Sequence, residues 1–481
     1  MARERTNHRS RRHGIAAAAA TVLALAAAPL AHAAPGDAAL ADPPAASSGA
    51  RVGAARGWAT RNVTSTRTPG TTVADSVSVT ADGTVDLLRV EQESVGDVSV
   101  RWTATLLRQP PTGKLARVRT FSSEASSEIP TLRSGEDGSS ILLVPSGSTT
   151  RAEVWTRRNG SKTWRRTPAP SAATGSLAVD TQKNGRITIA YTSDADEDIT
   201  LHTATAVPGG RWTAHQETPL PAFEDAGLTW TSVALDVTAD GAATVALIST
   251  LVPWDFVSAP AGRVHVASRA AGATRFRPAT RLTSQHVRQL SVAQAGARSV
   301  VAYETVRPSG RTDIYVRTRT SAKAAWKPAQ KVQSSTGRLT DATSYGTGVD
   351  VVGSPTGRVT LVHSDTTGRT SVRVLGRTGS MKFGKPVATI SKVRSFLLAQ
   401  ERNGTATLVT TTGAVTARTG KVAVRTSSTA GTRWSKPRTL GTAITGFDGA
   451  SSLAVAPSGA TATWWVAQRS GKPAHLVASH R

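Results

Sequence analysis

A short turn ending in glycine recurs eight times along this chain at nearly even spacing, and no other feature limits the fold as severely. The turns read Asp82-Gly83, Asp137-Gly138, Asn184-Gly185, Asp240-Gly241, Ala295-Gly296, Thr356-Gly357, Asn403-Gly404 and Ser458-Gly459. Seven steps separate Gly83 from Gly459, a period of about 54 residues, in the range of repeat architectures. Asn-Gly and Asp-Gly are strong hairpin signals, and a type I′ turn is expected at them because both of its central residues need positive φ. Alternating apolar runs flank each turn, as in Ser176-Leu177-Ala178-Val179 before and Arg186-Ile187-Thr188-Ile189-Ala190-Tyr191 after. Period-two patterning turns one side of each strand toward a neighbouring sheet.

Each unit continues with a third strand, such as Ile199-Thr200-Leu201, Val264-His265-Val266 or Val422-Ala423-Val424. A fourth strand is expected to open with an aromatic residue: Trp164, Trp212, Phe276, Trp326, Phe383 or Trp434. Proline follows closely in Phe276-Arg277-Pro278 and Trp326-Lys327-Pro328, and proline suits only an edge strand or its ends. Four antiparallel strands at this period describe the blade of a β-propeller. The last unit, ending in Leu476-Val477-Ala478-Ser479-His480-Arg481, lacks a fourth strand, and Gly57-Trp58-Ala59-Thr60 looks like the missing piece. The expectation is therefore an all-β, eight-bladed ring over residues 53–481, with the N-terminal strand closing the last blade. A seven-bladed ring with one irregular insertion and a pair of two-sheet sandwiches are the alternatives.

Composition removes other classes. The chain has 481 residues and no cysteine, which excludes a disulfide scaffold, a thiolate metal site and a cysteine nucleophile. At 39% hydrophobic it can build a core. Five arginines within residues 1–14 precede the apolar run Ile15 to Leu30 and the small-x-small pattern Ala31-His32-Ala33. That order describes a secretory signal over 1–33, followed by a flexible leader over 34–52 and a secreted, extracellular product. No later stretch is apolar enough for a transmembrane segment. Asp194-Ala195-Asp196-Glu197-Asp198 has the oxygen density of a calcium loop but neither its glycine nor its closing glutamate, so it reads as a solvated acidic turn. No metal or other cofactor is expected. Of Trp464-Trp465, on a second strand, one is read as core and the other as a sugar platform.

In the connection between third and fourth strands, Thr156-Arg157-Arg158-Asn159-Gly160, Ser268-Arg269-Ala270-Ala271-Gly272 and Ser427-Ser428-Thr429-Ala430-Gly431 keep a glycine and a later aromatic. These units resemble the blades of secreted bacterial β-propellers of the sialidase-like (BNR, or Asp-box) superfamily, whose turn reads roughly Ser-x-Asp-x-Gly-x-x-Trp. The aspartate is missing in all three turns. The resemblance implies the fold and, for an enzyme, three arginines clamping a carboxylate, a Tyr/Glu nucleophile pair and an aspartate acid. Candidates near the inner strands are Arg288, Arg394, Tyr345 and Asp341. No Arg-Ile-Pro-type start is present, and fold alone does not imply activity.

Charge divides the chain in two. Residues 1–255 hold 25 basic and 25 acidic side chains, whereas residues 256–481 hold 33 basic and 7 acidic. Many of these cations fall on outer strands, which suits either protection of sheet edges or adhesion to an anionic partner. No nucleic-acid reading motif accompanies them. Two long deviations from the repeat, Pro219–Trp230 and Leu251–Pro260, offer aromatic and carboxylate groups that suit a sugar ring: Asp225, Trp230, Trp254 and Asp255. Together these features point to a monomeric, non-catalytic secreted propeller that binds carbohydrate or an anionic cell-surface polymer. An exo-acting sialidase-like glycoside hydrolase, with its active site in the propeller funnel, is the alternative.

Overall fold

The computed structural model of the chain describes residues 58–64, 72–95, 99–111, 114–126, 129–135, 137–145, 152–170, 176–182, 184–195, 198–213, 216–220, 227–253, 261–338, 348–375, 381–444, 450–469 and 472–480. The signal and leader expected over 1–52 lie outside them, as do Asp196 and Glu197 of the acidic turn. Among the described residues, thirty-two strands, β1 to β32 in chain order, form eight four-stranded antiparallel sheets. Sheets 1 to 7 begin at β2 (Thr72–Val79), β6 (Thr131–Ser134), β10 (Leu177–Thr181), β14 (Gly227–Val237), β18 (Val287–Ala295), β22 (Gly348–Gly353) and β26 (Val393–Gln400), and each runs outward through consecutive strands. The first strands pack against those of neighbouring sheets. They are therefore innermost, and the chain is an all-β propeller of four-stranded antiparallel blades.

Sheet 8 is assembled from both ends of the described chain. β30 (Ala450–Val455), β31 (Thr461–Arg469) and β32 (Lys472–His480) are completed by β1 (Trp58–Thr64). Trp58 stands opposite His480 and Ala59 opposite Ser479, which is the closure expected of this segment. Trp58 is buried with Val409, Val422 and Trp465, so the closing strand is anchored to sheet 7 as well as to its own sheet.

All eight turn glycines have positive φ, between 56° and 97°. The residues before them do not, so the expected type I′ turns are not what forms. In sheet 1 the Gly83 amide donates to the Thr80 carbonyl, and the Thr80 amide to the Thr84 carbonyl. Only the glycine is left-handed. The acidic or amide residue before it acts through its side chain instead. Asp82, Asp137, Asn184, Asp240 and Asn403 each accept, through a side-chain oxygen, the amide of the residue two further on. The repeated Asx-Gly pair thus encodes a side-chain cap beside one left-handed residue.

The aromatics expected to open the fourth strands stand before them instead. Phe276 precedes a strand over Thr280–Thr283, and Trp326 one over Gln330–Ser334. They are displaced because they lie under arginines from the end of the third strand. Arg157, Arg269 and Arg319 sit 5.9, 5.0 and 4.5 Å from the rings of Trp164, Phe276 and Trp326. An arginine–aromatic stack of this kind contributes about 0.5–2 kcal/mol. The fourth strands do form the outer edges, and Pro278 and Pro328 stand just before them, where they cost no ladder bond.

Neighbouring sheets cover both faces of each sheet, and this overturns the reading of Trp464-Trp465 as one core residue and one sugar platform. Their exposures are 1% and 0%. Trp464 packs among Val77, Val79 and Leu87 of sheet 1, and Trp465 among Val409 and Val422 of sheet 7. A polar clamp joins sheets 1 and 2. Asp86 accepts from Arg157 and the Ser140 hydroxyl on one oxygen and from Arg108 at 2.9 Å on the other.

Candidate functional site

An innermost strand has one edge with no partner strand, so its outward amides need other acceptors. Here the preceding sheet supplies them from side chains. Leu132 N donates to Ser76 Oγ, Val233 N to Ser176 Oγ, Val237 N to Asp180 Oδ2 and Gln294 N to Asp236 Oδ2. Val349 N and Val351 N donate to Gln289 Oε1 and Ser291 Oγ, and Val77 N to Ser452 Oγ. Short polar residues on the inner strands are therefore stitches between sheets.

Charge is concentrated in three of these positions. Five residues before the turn glycine stand Ser78, Arg133, Asp180 and Asp236 in sheets 1 to 4, but Val352, Ala399 and Ala454 in sheets 6 to 8. Burial raises the Asp180 and Asp236 carboxyls above the ordinary range, and the Asp180 charge adds to the rise at Asp236. Arg133 pulls both back down. Burial also pushes Asp350 up to about 6, against its hydrogen bond from Ser291.

Beside this group lies a cavity of about 310 Å³. Most first strands meet directly, whereas contact between sheets 2 and 3 runs from β10 to the second strand of sheet 2, Ser140–Val144. The opening left there is walled by apolar side chains, among them Ile141, Leu177, Leu235 and Leu290, with Thr131, Arg133 and Ser291 as its polar groups. Arg133 Nη2 is buried without a hydrogen-bond partner among the described residues. The volume is at the lower end of small-molecule pockets, about 300–1,000 Å³, and an apolar wall with a few polar groups is their usual make-up.

The residues expected to carry function fall elsewhere. Arg288 on β18 is paired through Nε with Glu304, at 2.9 Å, in its own sheet. Arg394 on β26 donates to the carbonyls of Ala414 and Ala417 in sheet 7. Each guanidinium is thus held within a different sheet. Tyr345, Asp341, Asp225, Trp254 and Asp255 lie outside the described residues. The backbone of Trp230 belongs to β14, opposite Thr250. Sequence reasoning passed over Arg133, Asp180 and Asp236. Aligning the repeats on the turn glycine would have shown three charges at one inward position.

No protein-family model matches the chain, and no curated protein matches it. Several solved structures are similar to it at low identity. The β-propeller domain of the Trilobed protease from Pyrococcus furiosus is 9% identical, with 77% of this chain and 97% of that one covered at a TM-score of 0.40. A lectin from Aleuria aurantia, in complex with alpha-methyl-L-fucoside, is 8% identical, with 79% and 97% covered at 0.37. A Hadza microbial sialidase is 12% identical, with 85% and 96% covered at 0.36. At such scores these likenesses carry no argument, and the fold rests on the sheets themselves.

Proposed function

We propose that this protein is a secreted, non-catalytic propeller whose eight sheets are the blades of one ring, and that it binds carbohydrate in the cavity beside Arg133. Secretion rests on the charged, apolar and small-x-small order of residues 1–33. The ring count rests on the eight sheets and on the closure of sheet 8 by β1. What carries the binding proposal is the cavity itself. Its apolar wall suits the faces of a sugar ring, while Thr131 and the unpartnered Arg133 nitrogen can meet hydroxyl groups. Asp180 and Asp236 each already accept an inner-strand amide, so they act as stitches and not as a pair of carboxyls free for acid–base work.

A glycan array with the mature protein tests this, together with an assay for released sugar. The expected result is saturable glycan binding without turnover, weakened at least about tenfold by Arg133→Gln. That factor is about 1.4 kcal/mol, the scale of one lost hydrogen bond to a charged group. Undiminished binding by the variant removes the cavity as the site. Release of product replaces the proposal with the glycoside hydrolase reading.

A further inference from the structure

The arginine that ends the third strand plays the same structural part in sheets 2 and 4 but meets different partners. In sheet 2, Arg157 reaches back to the second strand of sheet 1 and lands on the Asp86 carboxylate. In sheet 4, Arg269 reaches back in the same way to sheet 3 and finds Thr188, donating to its hydroxyl at 3.1 Å. Asp86 and Thr188 are equivalent, each three residues after its turn glycine. The arginine is kept and the anion is gone.

Arg269 is only 3% exposed. Its Nε donates to the Gly241 carbonyl, and no carboxylate lies within ion-pair reach among the described residues. Burial, together with the Arg186 charge, pushes this guanidinium down to about 10. It forms part of the wall of a cleft of about 310 Å³ between sheets 3 and 4, beside their turns. Arg186 and Arg275, both exposed, line the same cleft, as do Thr205 and Thr213. The one carboxylate on the wall, Asp240, is engaged within its own turn by the Thr238 hydroxyl and the Ala242 amide. Three cations against one carboxylate leave the cleft with an excess of positive charge, which favours an anion between the guanidinium groups.

We propose that the cleft between sheets 3 and 4 is a binding site for a phosphate group, held by Arg186, Arg269 and Arg275. Guanidinium groups offer paired N–H donors matched to phosphate oxygens, and the bound group supplies Arg269 with the negative charge that Asp86 supplies to Arg157. This site is separate from the cavity beside Arg133 and does not depend on the glycan proposal. The phosphate is either a free ion or one borne on a polymer.

Calorimetry and thermal unfolding, at ionic strength matched with sodium chloride, test the proposal with inorganic phosphate and with polyphosphate as probes. The expected result is saturable binding and a raised Tm, weakened at least tenfold in the double variant Arg186→Gln/Arg275→Gln, whose side chains are exposed. Binding of inorganic phosphate identifies a free ion as sufficient, and binding of polyphosphate alone identifies a polymer-borne group. Thr188→Asp restores the missing carboxylate. It is expected to raise Tm without phosphate and to abolish the phosphate effect. The proposal is overturned if neither probe binds, or if both bind the double variant as tightly as the original protein.

Discussion

Replacing Asp86 with alanine is expected to be among the most damaging single changes outside the hydrophobic core. Asp86 is 0% exposed and Arg157 is 1% exposed, so neither charge has water to fall back on. Without the carboxylate, Arg157 keeps, among the described residues, the Ser161 carbonyl and the Ser140 hydroxyl as hydrogen-bond partners beside its stack on Trp164, and Arg108 loses its 2.9 Å contact. Breaking a buried pair by removing one partner costs about 3–5 kcal/mol, because an uncompensated charge stays behind. An unfolding entropy of about 2.1 cal/mol/K per residue over roughly 400 cooperative residues turns about 4 kcal/mol into a Tm loss of about 5 °C. Scanning calorimetry reads this directly. The double variant Asp86→Leu/Arg157→Met removes both charges and is expected to lose less than the sum of the two single variants. A Tm within about 1 °C of the original for Asp86→Ala would refute the reasoning, since that is below the smallest loss the buried-pair estimate allows.

Other perturbations follow from the same structure. Because the carboxyls of Asp180 and Asp236 titrate above their unfolded values, the folded chain holds protons that the unfolded chain releases. Stability should therefore fall as pH rises from about 4 toward neutrality, and Asp236→Asn, which keeps an acceptor for Gln294 N, should flatten that slope in urea titrations. His265 runs the other way. Burial, then Arg263 and Arg281, hold it down at about 4, so its contribution is complete above about 6.5 and is lost as pH falls toward 4; His265→Leu should soften the acid loss. Gly138→Ala should cost more than Gly160→Ala in denaturant melts. Both have positive φ, worth about 1 kcal/mol or more, but an added Cβ at Gly138 would stand 3.1 Å from Pro457 Cδ while at Gly160 it meets open space. Deleting residues 1–64 should uncover the edge of β32 and shift the protein to oligomers on size exclusion.

The repeat was legible because its signals are local. A left-handed glycine and an Asx cap act within four residues, so Asp82-Gly83 and its counterparts mark every inner hairpin whatever surrounds them. The closing strand was legible from the single unit left short of a fourth strand. The turn type was misread because Asp and Asn serve hairpins in two ways, by adopting positive φ or by capping with the side chain. Only the hydrogen bonds tell these apart. The fourth-strand aromatics were misplaced because their stacking arginines lie across the connection, a tertiary contact that strand patterning does not record. The charged group at Arg133, Asp180 and Asp236 was hidden for a similar reason. Each is an ordinary polar residue on its own strand, and the three become a group only when separate repeats are brought round one centre.

The pairing of β1 with β32 fixes when this protein can finish folding. Trp58 finds His480 only after β2 to β31 have been made, so among the described strands this seam is the most distant pairing and the last available to a growing polypeptide. The earlier sheets can form as they emerge, but sheet 8 cannot be completed, nor Trp58 covered, until the far end arrives. The entropy of joining such remote ends grows only slowly with length, so the delay is one of timing more than of stability. A chain built this way keeps one seam open until β32 has been made.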